Sequence, residues 1–300
     1  MERVSFYELL LRAWNISWSG FKPYIFGGLL ALVVISQNIF TTTLPRFSSW
    51  TEAVNFLQSE GWGVVMGVSL LLFLVYIFGK SNLIGLLSEI EKTFNKTKVS
   101  KTRSAPLLPR NLTRLFLRGL ALEGTVFLFL LFITILLALP VFLAWWMDRQ
   151  VLDTLSVLAA IVFIPVAAVI FLSSRFALFY FLLSPLRLRS SLENGYALFS
   201  RYVVRTLLFG LFSFALAIIF TFCLNLLMLN ISLVAEYAPS DFLARYLPLL
   251  LSFPFLAWWS ILDQALWLSF FEDLARPKDK VDAGREEVLI KDRAPEIPPA

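Results

Sequence analysis

Histidine is absent from the 300 residues, and cysteine occurs once, at Cys223. Those absences exclude Cys/His zinc sites, histidine general bases, Cys–His dyads and any intrachain disulfide. Charge is also scarce: 16% of residues are charged, against about 25% in a soluble domain. No GxSxG, P-loop, GxGxxG or HExxH pattern occurs. Paired carboxylates such as Glu286-Glu287 lie in a polar tail with no apolar pocket around them. An intramembrane hydrolase needs an Asp pair, a Ser/Lys dyad or metal ligands, and only Asp263 approaches that, without a mate. The sequence therefore points to no enzyme, no metal and no cofactor.

What is present is apolar. Hydrophobic residues make up 58% of the chain and 30 are Phe, with a mean hydropathy of +0.76. Six runs, at 22–43, 62–85, 120–146, 152–183, 204–234 and 246–271, are long enough to cross a hydrocarbon core, which takes about 20 helical residues. The first run lacks a small-residue cleavage site and reads as a retained membrane helix. The expected fold is all-α: a polytopic transmembrane bundle of six spans over 1–274, then a disordered tail over 275–300, where charge is mixed and apolar content low.

The basic residues set the orientation. All 26 Lys and Arg residues except Arg46, Arg149 and Arg245 fall on one side of that topology. By the positive-inside rule that side is cytoplasmic, with both termini on it, and the protein is a multi-pass protein of the plasma (inner) membrane. Trp50, Trp62, Trp145 and Trp146 fall at the opposite boundary, where amphipathic rings prefer to lie. The net charge of +5 then reads as contact with anionic headgroups rather than nucleic acid.

Each helical hairpin is preceded by an amphipathic basic segment, at 3–19, 107–119 and 189–203, expected to lie as an interfacial helix in the inner leaflet. In the second, Arg110, Arg114 and Arg118 recur every fourth residue and form a candidate contact for anionic lipid. Segments 11–32 and 192–214 look alike, which suggests repeats over 1–88, 105–186 and 187–274.

Ionisable residues inside spans are costly, which makes each a candidate site. Glu123, Arg175 and Asp263 fall in the half of their spans nearer the basic loops, and Lys80 shares that depth. Arg175 is the expected partner of Asp263, with Lys80 the alternative. Pro165 and Pro254 are expected to kink their helices, and the fourth run to tilt or break near Ser173-Ser174, leaving 176–183 along the interface.

The opening FYELLLRAWNIS, the segment SSLENGYALFSRYVVR before the fifth span and the ending LWLSFFEDL together resemble bacterial six-helix integral membrane proteins of the glycerophosphoryl diester phosphodiesterase membrane-domain type. In that family the phosphodiesterase belongs to a separate soluble domain, so the resemblance implies no catalytic residue here. Two functions stay open. One is a non-enzymatic membrane protein that organises lipid or a membrane-protein partner at the inner face. The other is a small transporter or permease subunit with a polar path around Asp263 and Arg175.

Overall fold

A computed structural model describes residues 4–43, 52, 61–97, 111–144, 149–235 and 241–275. Among them there are eight helices and no strand. In chain order these are α1 (Phe6–Ser17), α2 (Lys22–Thr43), α3 (Gly61–Thr97), α4 (Leu112–Ala144), α5 (Arg149–Leu183), α6 (Leu188–Arg201), α7 (Val203–Ala235) and α8 (Asp241–Ala275). By length and composition α3, α4, α5, α7 and α8 are each able to cross a membrane, and the bent pair α1–α2 makes a sixth when it is counted as one span. The chain is a multi-pass membrane protein in which only helices satisfy the backbone within the span.

The start of α1 is written in its sequence. Ser5 Oγ accepts from the Glu8 amide at 3.2 Å, and Glu8 Oε2 accepts from the Ser5 amide at 3.0 Å, a reciprocal capping box. Gly20, at φ 149°, lets the chain turn through 100° into α2, because glycine alone holds that backbone without strain.

α8 is the hub, with α1, α2 and α7 packed along it. From α2 the bundle continues through α3, α4 and α5, each against the next, and α6 lies on α5. The helices are well packed at the end where α1, α6, the start of α4 and the ends of α5 and α8 meet, called here the basic end. There Phe209 stacks on Phe270 at 3.8 Å between centroids, Trp267 meets Phe209 edge-on at 4.9 Å, and Phe271 meets Phe179 at 5.2 Å. Away from it the apolar side chains point outward: Phe132 on α4, Ile164 on α5 and Phe222 on α7 are all exposed. The lone cysteine, Cys223, is also exposed.

In lipid, helix association rests on close packing rather than on removal of apolar surface from water. Small residues mark the crossings accordingly. Gly27 abuts the Ala257 carbonyl of α8, Gly119 abuts Ser81, and Gly195 abuts Ala177.

Three local expectations are corrected. Residues 112–119 are not a separate interfacial helix but the first turns of α4, which runs without interruption from Leu112 to Ala144. α5 does not break near Ser173-Ser174: Ser173 Oγ and Ser174 Oγ donate to the carbonyls of Ile170 and Phe171, within the same helix. Residues 176–183 are not a separate interfacial segment, since they continue α5 to Leu183; Phe176, Ala177, Leu178 and Phe179 are buried, with Phe176 against Trp267, Phe270 and Phe271 of α8. The expected tail from 276, residues 98–109, Arg110, Trp50, Trp145 and Trp146 lie outside the described residues.

The α5–α6 crossing is tight enough to test. A Cβ at position 195 falls 2.6 Å from the Ala177 amide nitrogen, whereas one at Gly124 meets nothing within 4 Å. Gly195→Ala is expected to lower stability in detergent by about 1–3 kcal/mol, the usual cost of overpacking. Gly124→Ala is expected to leave it unchanged or slightly raised. Thermal unfolding of the two variants checks this, and equal shifts contradict the crossing.

Candidate functional site: two polar layers and a basic cavity

The intramembrane charges expected to cluster are paired. Arg175 Nη1 of α5 lies 3.2 Å from Asp263 Oδ2 of α8, and Gln264 Nε2 donates to the same oxygen at 3.0 Å. The guanidinium sits over the rings of Trp267 and Phe171, 4.8 and 5.1 Å from their centroids. Lys80, the alternative partner for Asp263, is taken by Glu123, with Nζ 2.5 Å from Oε1 and 5.3 Å from the Tyr76 centroid. α3, which carries Lys80, also packs against α5, which carries Arg175. One layer therefore holds two cations and two anions from α3, α4, α5 and α8, with formal charges that cancel. The exposures are low: 9% for the Lys80 side chain and 17–22% for the other three. Each charge in a low-dielectric setting has its counter-charge, the condition under which burial of ions is tolerated.

A second polar layer lies nearer the basic end. From Asp263 to Glu272 is about 14 Å along α8, at 1.5 Å per residue, and similar steps separate Lys80 from Glu91 on α3 and Glu123 from Arg114 on α4. Arg12 of α1 reaches both Glu91 of α3 and Glu272 of α8, the latter at 3.3 Å. Arg205 of α7 pairs with Asp273 of α8 at 2.9 Å and donates to the Val4 carbonyl at 2.9 Å. These bonds fasten α1 across the end of the bundle.

Arg118, expected to meet lipid headgroups, has another task. Pro185 has no amide hydrogen, so the turn after α5 leaves the Phe181 carbonyl without its helical donor. Arg118 donates instead to the carbonyls of Phe181 at 2.7 Å, Ser184 at 2.8 Å and Leu186 at 3.4 Å, and its guanidinium lies 5.0 Å from the Phe181 centroid. It closes the end of α5. Arg114, one turn away, is exposed and lines two adjoining cavities between α3, α4 and α5. One is 290 Å³ and includes Ser88, Glu89 and Lys92 of α3; the other is 610 Å³ and includes Leu117, Ala121 and Phe181. Neither cavity is lined by Asp263 or Lys80.

The sequence reading missed Glu91, Glu272, Asp273, Ser88 and Glu89, and gave Arg12 and Arg205 only a positional meaning. A signal was available for two of these. The acids Glu272 and Asp273 close an aromatic helix where the basic residues of α1 and α7 also fall, so opposite charges meet at one level. Nothing in the sequence ties Ser88 or Glu89 to α4. Among the described residues no group of acids, His or Cys could hold a metal ion.

Breaking the Lys80–Glu123 pair leaves a lone charge among apolar side chains. Glu123→Gln is expected to destabilise the protein by about 3–5 kcal/mol, and Lys80→Gln with Glu123→Gln by less than either single change. Detergent thermal unfolding of the three variants checks this. A double variant as unstable as the sum of the singles contradicts it.

Nothing among protein-family models, curated proteins and solved structures matches this chain.

Proposed function

We propose that this chain is a non-enzymatic membrane protein that holds phospholipid headgroups at its basic end, facing the cytoplasm, and thereby organises lipid or a membrane-protein partner there. The observation that carries the reading is the pair of adjoining cavities with Lys92 and Arg114 on their lining. A basic pocket between spans near the headgroup level recruits phosphate-bearing lipid. The amphipathic α1, with Leu9, Ala13 and Ile16 buried and Tyr7, Leu11 and Trp14 exposed, fits an interfacial position. Kinship with the six-helix proteins of the glycerophosphoryl diester phosphodiesterase membrane-domain type is part of the proposal. It rests on the aromatic-acidic close of α8 and on the segment before α7.

The transport alternative draws on the same four intramembrane charges. Their mutual pairing, and the cavities' distance from Asp263 along the bundle, favour a structural layer over a path.

The reading is tested in nanodiscs of phosphatidylcholine with added phosphatidylglycerol. Anionic lipid is expected to raise the unfolding temperature of the wild-type chain. The Lys92→Gln/Arg114→Gln variant is expected to lose that response, at roughly 1 kcal/mol per basic residue near the surface. An undiminished response contradicts the site. The orientation has its own readout: a cysteine at exposed Ser200, in a Cys223→Ala background, is expected to react with an impermeant maleimide only after permeabilisation. Labelling in intact cells contradicts it.

A further inference from the structure

The smaller cavity is not lined as a simple anion site. Beside Lys92 and Arg114 it carries a carboxylate, Glu89, whose Oε2 is buried and has no hydrogen-bond partner among the described residues. Ser88 also lines it; this serine is 1% exposed and its Oγ is likewise without a partner. Buried polar atoms without partners are rare, and each calls for an explanation. The third cation, Arg118, is already engaged by the carbonyls that end α5.

A ligand with phosphate alone suits Lys92, Arg114 and the first turn of α4, where Asn111, Leu112 and Thr113 line the adjoining cavity and the amides lack helical acceptors. It also brings a second anion towards Glu89. A ligand with both a phosphate and a donor-bearing cation sets a counter-charge beside Lys92, Arg114 and Glu89 alike. The adjoining cavity supplies the rest of the shape. It follows α4 from Arg114 to Leu117 and Ala121, with Phe181 opposite, about 10 Å along the helix from Arg114 to Ala121 at 1.5 Å per residue. That direction runs from the basic end towards the apolar half of the bundle, as an acyl chain runs from its headgroup.

We infer that this cavity pair binds a phospholipid whose headgroup carries a primary ammonium beside the phosphate. Lys92 and Arg114 take the phosphate, Glu89 takes the ammonium, and the Leu117–Ala121–Phe181 groove takes a chain. The inference rests on the proposed headgroup-holding role and narrows it to one headgroup chemistry. Choline is excluded by hydrogen bonding, because a trimethylammonium has no N–H to give to Glu89. A soluble phosphoethanolamine shares the polar chemistry and lacks the chain.

The test uses the full chain in nanodiscs of equal parts phosphatidylethanolamine, phosphatidylcholine and phosphatidylglycerol with matched chains, and native mass spectrometry of the lipid retained on release. Phosphatidylethanolamine is expected to be enriched over phosphatidylcholine by roughly tenfold, the scale of one charge-assisted hydrogen bond. The enrichment is expected to fall stepwise as the ethanolamine is mono-, di- and trimethylated, an arm that leaves the protein unaltered. Glu89→Gln is expected to abolish the preference while phospholipid is still retained, and Lys92→Gln/Arg114→Gln to lower retention of every phospholipid. Equal retention of the ethanolamine and choline lipids, or a preference that survives Glu89→Gln, overturns the inference. Enrichment of phosphatidylglycerol over both overturns it too and leaves the headgroup-holding role standing. Retention of no phospholipid overturns both. Displacement of the lipid by millimolar O-phosphoethanolamine at equal potency assigns the site to a soluble amino-phosphate and overturns the lipid.

Discussion

The pairing of Arg175 with Asp263 is the contact on which the rest of the arrangement turns. A single ionised group inside a span is costly, at least about 2.5 kcal/mol at its centre on the most lenient scale, and the Arg175 and Asp263 side chains are only 17% and 20% exposed. The cost is offset only when α5 approaches α8 at that height. α5 is otherwise held to the bundle mainly through α4 and α6. The ion pair therefore defines where the chain of helices α2–α3–α4–α5 curves back onto the hub. Once it does, Phe176 and Phe179 fall against Trp267, Phe270 and Phe271.

The polar layers divide the molecule by height. The inner layer locks four spans, and the layer nearer the end binds α1 and α7 to α8 and closes α5 through Arg118. Beyond the inner layer, away from the basic end, the exposed side chains of the spans are mostly apolar, with uncharged polar residues such as Thr134 and Asn225 among them. The charge pairs and the two cavities between α3, α4 and α5 thus lie in one half. That asymmetry is what makes the basic end the place where function is sought.

Much of this architecture is legible in the sequence because its causes are local. Twenty-odd apolar residues in a row specify a span whatever surrounds them, and the six runs correspond to α2, α3, α4, α5, α7 and α8. Asp263 and Arg175 were legible as partners for a similar reason: two costly charges at one depth have few other choices. What was not legible depends on neighbours in space. The Phe181 carbonyl needs a donor only because Pro185 follows it, and Arg118 supplies one from a different helix, so a regular arginine spacing on α4 misrepresents its role. Residues 112–119 look amphipathic alone, yet nothing in them stops a helix, and they run on into α4. Ser88 and Glu89 gain meaning only when α4 and the end of α5 enclose them.

The most direct test of this account is a double-mutant cycle on Arg175→Gln and Asp263→Asn, read by thermal or denaturant unfolding in a lipid-like detergent. The account predicts that each single change lowers stability substantially and that the double variant loses clearly less than the sum, with a coupling of roughly 0.5–3 kcal/mol as for residues in contact. Additive losses contradict a paired, structural Arg175–Asp263 layer.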